Sequence, residues 1–242
     1  MESTFSGFSG ESFNFFRELA ENNNKAWFDE NRHRYEELVT GTFRGLLQAL
    51  EPSLLKLNPY FEVSGKTNGN FSRINRDVRF SKDKRPYKGS YYLYFFDSRR
   101  TRDATGRLYV GLSADCVTVG FALYASWKKG VTGALETIFR PRFQKEGSRF
   151  KRLAANAKRD RFENYWYRME KKEWVLHPGF PKKDDDWLTL QGWVVRKVFE
   201  PGVRGLDSPA FAGKVAKIFA ELFPLYNFTS VPGARRKKSV GD

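Results

Sequence analysis

The stretch Leu108-Tyr-Val-Gly-Leu-Ser-Ala-Asp-Cys-Val-Thr-Val-Gly-Phe-Ala-Leu123 decides the fold. Leu108, Val110 and Leu112 recur at period two, as do Val117, Val119, Phe121 and Leu123, which is the spacing of two strands. Ser113-Ala114-Asp115 between them reads as a hairpin loop, and so short a connection makes the pair antiparallel. Cys116 falls in the second alternating run, where a small buried side chain is expected. Upstream, Tyr91–Phe96 is a further β-rich run. Before it, Ile74, Arg76, Val78 and Phe80 alternate with Arg73, Asn75, Asp77 and Arg79, which predicts another strand. Downstream, Trp193 to Phe199 reads as an edge strand.

Helical spacing flanks this sheet on both sides. Residues 11–20 place Phe13, Phe16 and Ala20 on one stripe. Asn22-Asn23-Asn24 breaks that helix and offers an N-cap to the next, in which Trp27, Phe28, Asn31, Tyr35 and Leu38 recur. Phe43, Leu46, Leu47 and Leu50 form a third helix that Pro52 is expected to end. After the strands come Val131, Leu135, Ile138 and Phe139, then Phe162, Tyr165, Trp166 and Met169, both at helical spacing. Ser208-Pro209 signals a last helix carrying Phe211, Val215, Phe219 and Leu222, with Pro224 as its expected end. Ser64–Gly69, Asp97–Gly106 and Pro178–Asp186 read as loops. Helices, sheet, helices is an α+β order with an antiparallel sheet, expected as a single domain over 1–232.

Composition narrows the chemistry. The 242 residues hold 23 Phe, 11 Tyr and 6 Trp, enough aromatic bulk to fill a core. One cysteine excludes a disulfide framework and a cysteine-built zinc site, and two histidines, His33 and His177, exclude a three-histidine metal site. No metal or cofactor is expected. Met1–Gly10 has no secretory pattern and no apolar run reaches spanning length, so a soluble cytoplasmic protein without membrane contact is expected. Asp184-Asp185-Asp186 reads as solvated, and His177-Pro178 as a loop entrance.

The formal net charge of +15 favours acidic partners. Arg140 to Lys172 holds twelve Lys/Arg against four Asp/Glu, and Phe71 to Tyr92 holds seven against two. Residues 233–242, with Arg235, Arg236, Lys237 and Lys238, are expected to be a disordered basic tail.

Familiar motifs fail. Gly65-Lys66-Thr67 lacks the first glycine of a phosphate loop, because Tyr60 stands there. Gly-x-Ser-x-Gly, Gly-x-Gly-x-x-Gly and His-Glu-x-x-His are absent. Lys88 to Phe95 partly matches an RNA-recognition strand, but Ser90 and Tyr91 occupy its aromatic and small positions. One constellation remains: Arg73-Ile-Asn-Arg76-Asp77-Val-Arg79-Phe-Ser81-Lys82-Asp83-Lys84-Arg-Pro86-Tyr87-Lys88. Strand alternation would set Arg76 on the apolar face, where its charge must be paired with Asp77 or another carboxylate, or hold an anion. Arg73, Arg76, Arg79, Ser81, Lys82, Lys84, Tyr87 and Lys88 are the candidate anion-binding residues: guanidinium forks and ammonium groups for phosphate, Tyr87 for stacking on a base. Nucleic acid is the favoured ligand class. The alternatives are an enzyme on a phosphorylated small molecule, with Asp77 or Asp83 as acid/base, and a structural or assembly module.

With Asn23-Asn24, Trp27-Phe28 and Tyr35 preceding it, this constellation resembles the domain of unknown function 2461 family. The resemblance runs from Phe13 to about Phe228 and implies helix–strand–helix order but no established activity, so no catalytic role is carried over. Gly89-Ser90-Tyr91 departs from the family's pattern.

Overall fold

The computed structural model describes residues 4–126, 132–159 and 162–231. Val131 and the 233–242 tail lie outside them.

Four amino-terminal helices come first: α1 (Gly10–Glu21), α2 (Lys25–Glu30), α3 (Arg32–Tyr35) and α4 (Thr42–Leu57), with a π-helical turn, Glu36–Gly41, leading into α4. Asn24 caps α2 by accepting from the Trp27 N–H at 3.0 Å. Phe13, Phe15, Phe16 and Leu19 turn the buried side of α1 inward, whereas Ala20 is exposed. Pro52 does not end α4, which runs on to Leu57. The proline is exposed, and Leu54, buried one turn beyond Leu50, continues the apolar stripe. Burying Leu54 recovers about 1.5–3 kcal/mol, comparable to the roughly 3 kcal/mol that an interior proline costs.

Six antiparallel strands form one sheet in the order β1-β2-β3-β6-β4-β5. They are β1 (Ser90–Phe95), β2 (Arg107–Ser113), β3 (Val117–Tyr124), β4 (Glu163–Glu170), β5 (Glu173–Pro178) and β6 (Leu190–Phe199). The β2–β3 hairpin is the predicted one. Cys116 sits in its turn, partly exposed, with Sγ 3.7 Å from Ser113 Oγ.

Three expectations are corrected. Residues 73–80 form no strand: the alternation holds as far as buried Ile74 and half-buried Val78, but only an isolated bridge between Asn75 and Tyr87 pairs the segment, and Phe80 is 96% exposed. Phe162, Tyr165, Trp166 and Met169 open a strand rather than a helix, because β4 pairs with β5 on one side and β6 on the other. Finally, β6 lies between β3 and β4 and is no edge.

The helices α5 (Arg140–Arg159), α6 (Asp184–Leu188) and α7 (Phe211–Ser230) complete the chain. Ser208 Oγ accepts from the Ala210 N–H at the entry to α7. That helix also continues past its proline, since Pro224 is exposed while Leu225, Tyr226 and Phe228 are buried. It packs on β2 and β3, with α4 and α5 beside it. Leu93, Phe95, Leu108, Val110, Phe121, Leu123, Trp193 and Val195 point to this helical layer and join one large core. The alternate residues face the other way. Among the described residues no helix is long and apolar enough to cross a membrane.

Candidate functional site

Residues 70–88 fold against the outer edge of β1. Ser72 N–H donates to Tyr92 O at 2.9 Å, Tyr94 N–H donates to Asn70 O at 2.7 Å, and the buried Asn70 amide donates to Tyr94 O and Glu62 O. The chain then makes an irregular loop whose neck is closed by Lys88 N–H to Ile74 O and Arg76 N–H to Pro86 O, each 2.8 Å. Asn23 fastens that neck to the helices, donating to Tyr87 O and accepting from Tyr87 N–H, both at 3.0 Å. The Tyr87 ring stacks on Phe28 with centroids 4.0 Å apart and is 6% exposed. Tyr87 is therefore a packing residue, closed to a base. Asn23, expected either as a cap or with its amide facing the basic turn, takes the second role and holds the motif in place.

The tip of the loop is braced by ion pairs. Arg76 donates to Asp83 at 2.7 Å and to Arg85 O at 3.1 Å, so its partner is Asp83 and not its neighbour Asp77. Arg85 adds a fork to Asp83, and Arg79 makes one to Asp77. Arg79, through its side chain and its backbone N–H, holds the Asp77 carboxyl down at about 2. Arg85 and Arg76 push Asp83 lower still. Both acids are fully ionised near neutral pH and neither has a proton to give; as bases they lie far from an effective range. An acid/base role for Asp77 or Asp83 has no support in this geometry.

Between this loop and the rim of the sheet lies a cleft of about 690 Å³. Arg73, Arg76, Arg79 and Lys88 line it, joined by two arginines the motif does not contain, Arg102 and Arg107, and by Tyr94. Asp77 is the one acid in that lining. Arg73 has no carboxylate at ion-pair distance among the described residues, and Arg107 sits over the Tyr94 and Tyr124 rings at 4.8 and 5.7 Å. Lys88 donates to Arg73 O at 2.8 Å. Burial, with Arg102 and Arg73 nearby, pulls its ammonium below the ordinary lysine value. Arg76 and Arg79 are already matched by Asp83 and Asp77; where Arg73, Lys88 and Arg107 meet, the like charges that remain are relieved by an anion. Ser81, Lys82 and Lys84 fall outside the lining, Lys84 donating instead to Val78 O at 3.1 Å.

The second basic segment is spent differently. Arg142 donates to Asn227 O, Phe228 O and Val231 O at 2.8–3.1 Å, closing the end of α7. Arg149 pairs with Glu146, Lys151 with Asp184, and Arg168 with Asp185 and Asp186. The three aspartates are thus paired at the start of α6, and Asp186 also accepts from the N–H groups of Lys182 and Lys183. His177, at the end of β5, stacks on Trp166 and bonds to Glu170. Among the described residues no group of three or more His, Cys, Asp or Glu side chains is placed to hold a metal.

An α+β protein with helices on one sheet face and a basic cleft at the rim of the other is the class this geometry defines. Residues 11–228 match the family model described as Conserved hypothetical protein (DUF2461), and the chain belongs to that family. Among curated proteins there is no match.

Proposed function

We propose that this protein binds a compact phosphate-bearing ligand in the cleft between the Arg73–Lys88 loop and β2. The observation that carries this is the crowding of Arg73, Arg76, Arg79, Lys88, Arg102 and Arg107 around a cleft whose lining holds one acid. Guanidinium forks match phosphate oxygens, and the half-buried Lys88 ammonium supplies a point charge where screening is weak.

A long nucleic-acid strand is less well supported. It would draw on the segment between Arg140 and Lys172, where Arg142 closes a helix end and Arg149, Lys151 and Arg168 pair with acids, while Lys145, Arg152, Lys158, Lys171 and Lys172 stay exposed without lining the cleft. Asp77 and Asp83 are held ionised by their arginines and Lys88 is committed to Arg73 O, so the proposal is of binding alone.

Calorimetric titration with inorganic phosphate and ribose 5-phosphate tests it. Lys88→Met should weaken ribose 5-phosphate about tenfold or more and leave the unfolding free energy equal or slightly raised, since a crowded charge is removed. Saturable binding that survives Lys88→Met and Arg73→Met unchanged, or no binding at millimolar concentrations, overturns it.

A further inference from the structure

The basic cleft continues inward. Past Tyr94 and Arg107, which border both spaces, it meets a recess of about 340 Å³ on the open face of the sheet. The floor is made of small residues on adjacent strands, Gly111, Thr118 and Ala122. The walls are tyrosines: Tyr92 and Tyr94 from β1, Tyr124 from β3 and Tyr165 from β4. A Cβ at Gly111 would stand 2.5 Å from the Tyr92 ring, so the ring settles over the floor only because that position is glycine.

Three features fit one kind of occupant. The recess is concave, of ordinary ligand-site size and lined by rings with few charges. Its tyrosine hydroxyls stay protonated, because burial raises Tyr94, Tyr109, Tyr124 and Tyr165 above the usual phenol value, so each can donate or accept. Its mouth is held by Arg107, whose guanidinium touches two ring faces and lines the phosphate cleft as well. An aliphatic tail would use none of the hydroxyls, and a sugar would meet the rings only through C–H groups, without the face-to-face stacking of a flat ring. A planar heterocycle uses both.

We propose that the tyrosine recess receives the base of a nucleotide whose phosphate lies in the adjoining cleft beside Arg73, Lys88 and Arg107. This rests on the phosphate-binding reading and adds the ligand's class to it. Arg107 links the two parts, since it lines both spaces and its guanidinium lies over the Tyr94 and Tyr124 rings.

The test compares nucleoside 5′-monophosphates with ribose 5-phosphate on the full chain by calorimetry. A base in the recess should make the monophosphate bind about tenfold or more tightly than ribose 5-phosphate. Ala122→Leu, which fills the floor, should bring that ratio close to one. Tyr165→Leu, which removes a wall without adding bulk, should lower it too, so one misfolded variant does not decide the matter; urea denaturation checks both. A six-nucleotide single strand separates the sources of the base. Tighter binding with a steep salt dependence identifies a strand end, and no gain over the monophosphate identifies a free nucleotide. Equal affinity for the monophosphate and ribose 5-phosphate in the native protein overturns the base recess while the phosphate reading stands. If none of the phosphates binds, both fall.

Discussion

Between Arg140 and Lys172 two arginines serve the helices: Arg142 reaches three carbonyl groups at the end of α7, and Arg168 pairs with the first turn of α6. Between Arg73 and Lys88 the same residue types divide. Arg76, Arg79 and Arg85 brace the loop against Asp83 and Asp77, while Arg73 and Lys88 face a cleft with Arg107. Each segment is engaged only in part: Lys145, Arg152, Lys158, Lys171 and Lys172 stay exposed in the first, as Arg73 does in the second. What separates engaged cations from open ones is supply of acceptors: the ends of α6 and α7 present carboxylates and carbonyls, and Asp77 and Asp83 do the same in the loop. Charge density along a sequence marks where cations are, and folding decides which of them are already engaged.

The sharpest way to break this contrast is at Arg142. Its guanidinium is partly buried and donates to carbonyls left open at a helix end. Arg142→Ala should cost about 3 kcal/mol in chemical denaturation, within the range for hydrogen bonds to a charged group, and leave phosphate affinity unchanged. A loss of affinity there would mean that the second segment also serves the ligand.

Asn23→Ala removes both hydrogen bonds to the Tyr87 backbone. It should cost about 1–2 kcal/mol and also weaken ribose 5-phosphate, because the neck of the basic loop loses its tether. Stability loss with unaltered affinity would show that the loop holds its shape without the helices. Arg76→Met comes next. With side chains 25% and 37% exposed, the Arg76–Asp83 pair is only partly desolvated. The expected cost is about 1 kcal/mol rather than the roughly 3–5 kcal/mol of breaking a fully buried pair.

Acid stability sharpens the difference between loop and core carboxylates. Asp97 is 1% exposed; burial raises its pKa, but hydrogen bonds from Arg99 and Asn58 outweigh this and the net shift is downward. A carboxylate lowered in the folded state contributes stability above its unfolded pKa of about 3.9, and that contribution disappears as pH falls through the folded value. Urea midpoints should therefore drop below about pH 4. Asp97→Asn should flatten that drop, and an unchanged acid limb would assign it to other carboxylates.

Much of the sheet was legible because Leu108–Leu112 and Val117–Leu123 each alternate on either side of a short turn, and the α+β class follows from it. The region 162–170 was not: its aromatic and apolar residues satisfy period 3.6 at 162, 165, 166 and 169 as well as period two at 165, 167 and 169. Only pairing with β5 and β6 settles which applies. Pro52 and Pro224 mislead for a related reason, since local cost is outweighed by apolar residues further along the same helix. At the site, Arg73 and Lys88 were readable from the motif. Arg102, Arg107 and the tyrosine walls were not, because a tyrosine on a strand reads equally as core or surface until the layer opposite it is known. Tyr92 and Tyr94 alternate with Tyr91, Leu93 and Phe95; the helices lie on the latter side, which leaves the former open.

The smallest expected effect is the most discriminating one. Lys84 lies in the same motif as Lys88, carries the same charge and by sequence has an equal claim on an anion. Its ammonium reaches only Val78 O, is exposed, and lies outside the cleft lining. Exposed single substitutions of this kind shift stability by no more than about 0.5 kcal/mol. Lys84→Met should therefore leave denaturation and the ribose 5-phosphate titration within error of the native protein, beside the roughly tenfold loss expected from Lys88→Met. An equal loss from both would move the anion from the cleft to the tip of the loop, where Ser81, Lys82 and Lys84 gather. The tyrosine recess would then be too distant to share its ligand.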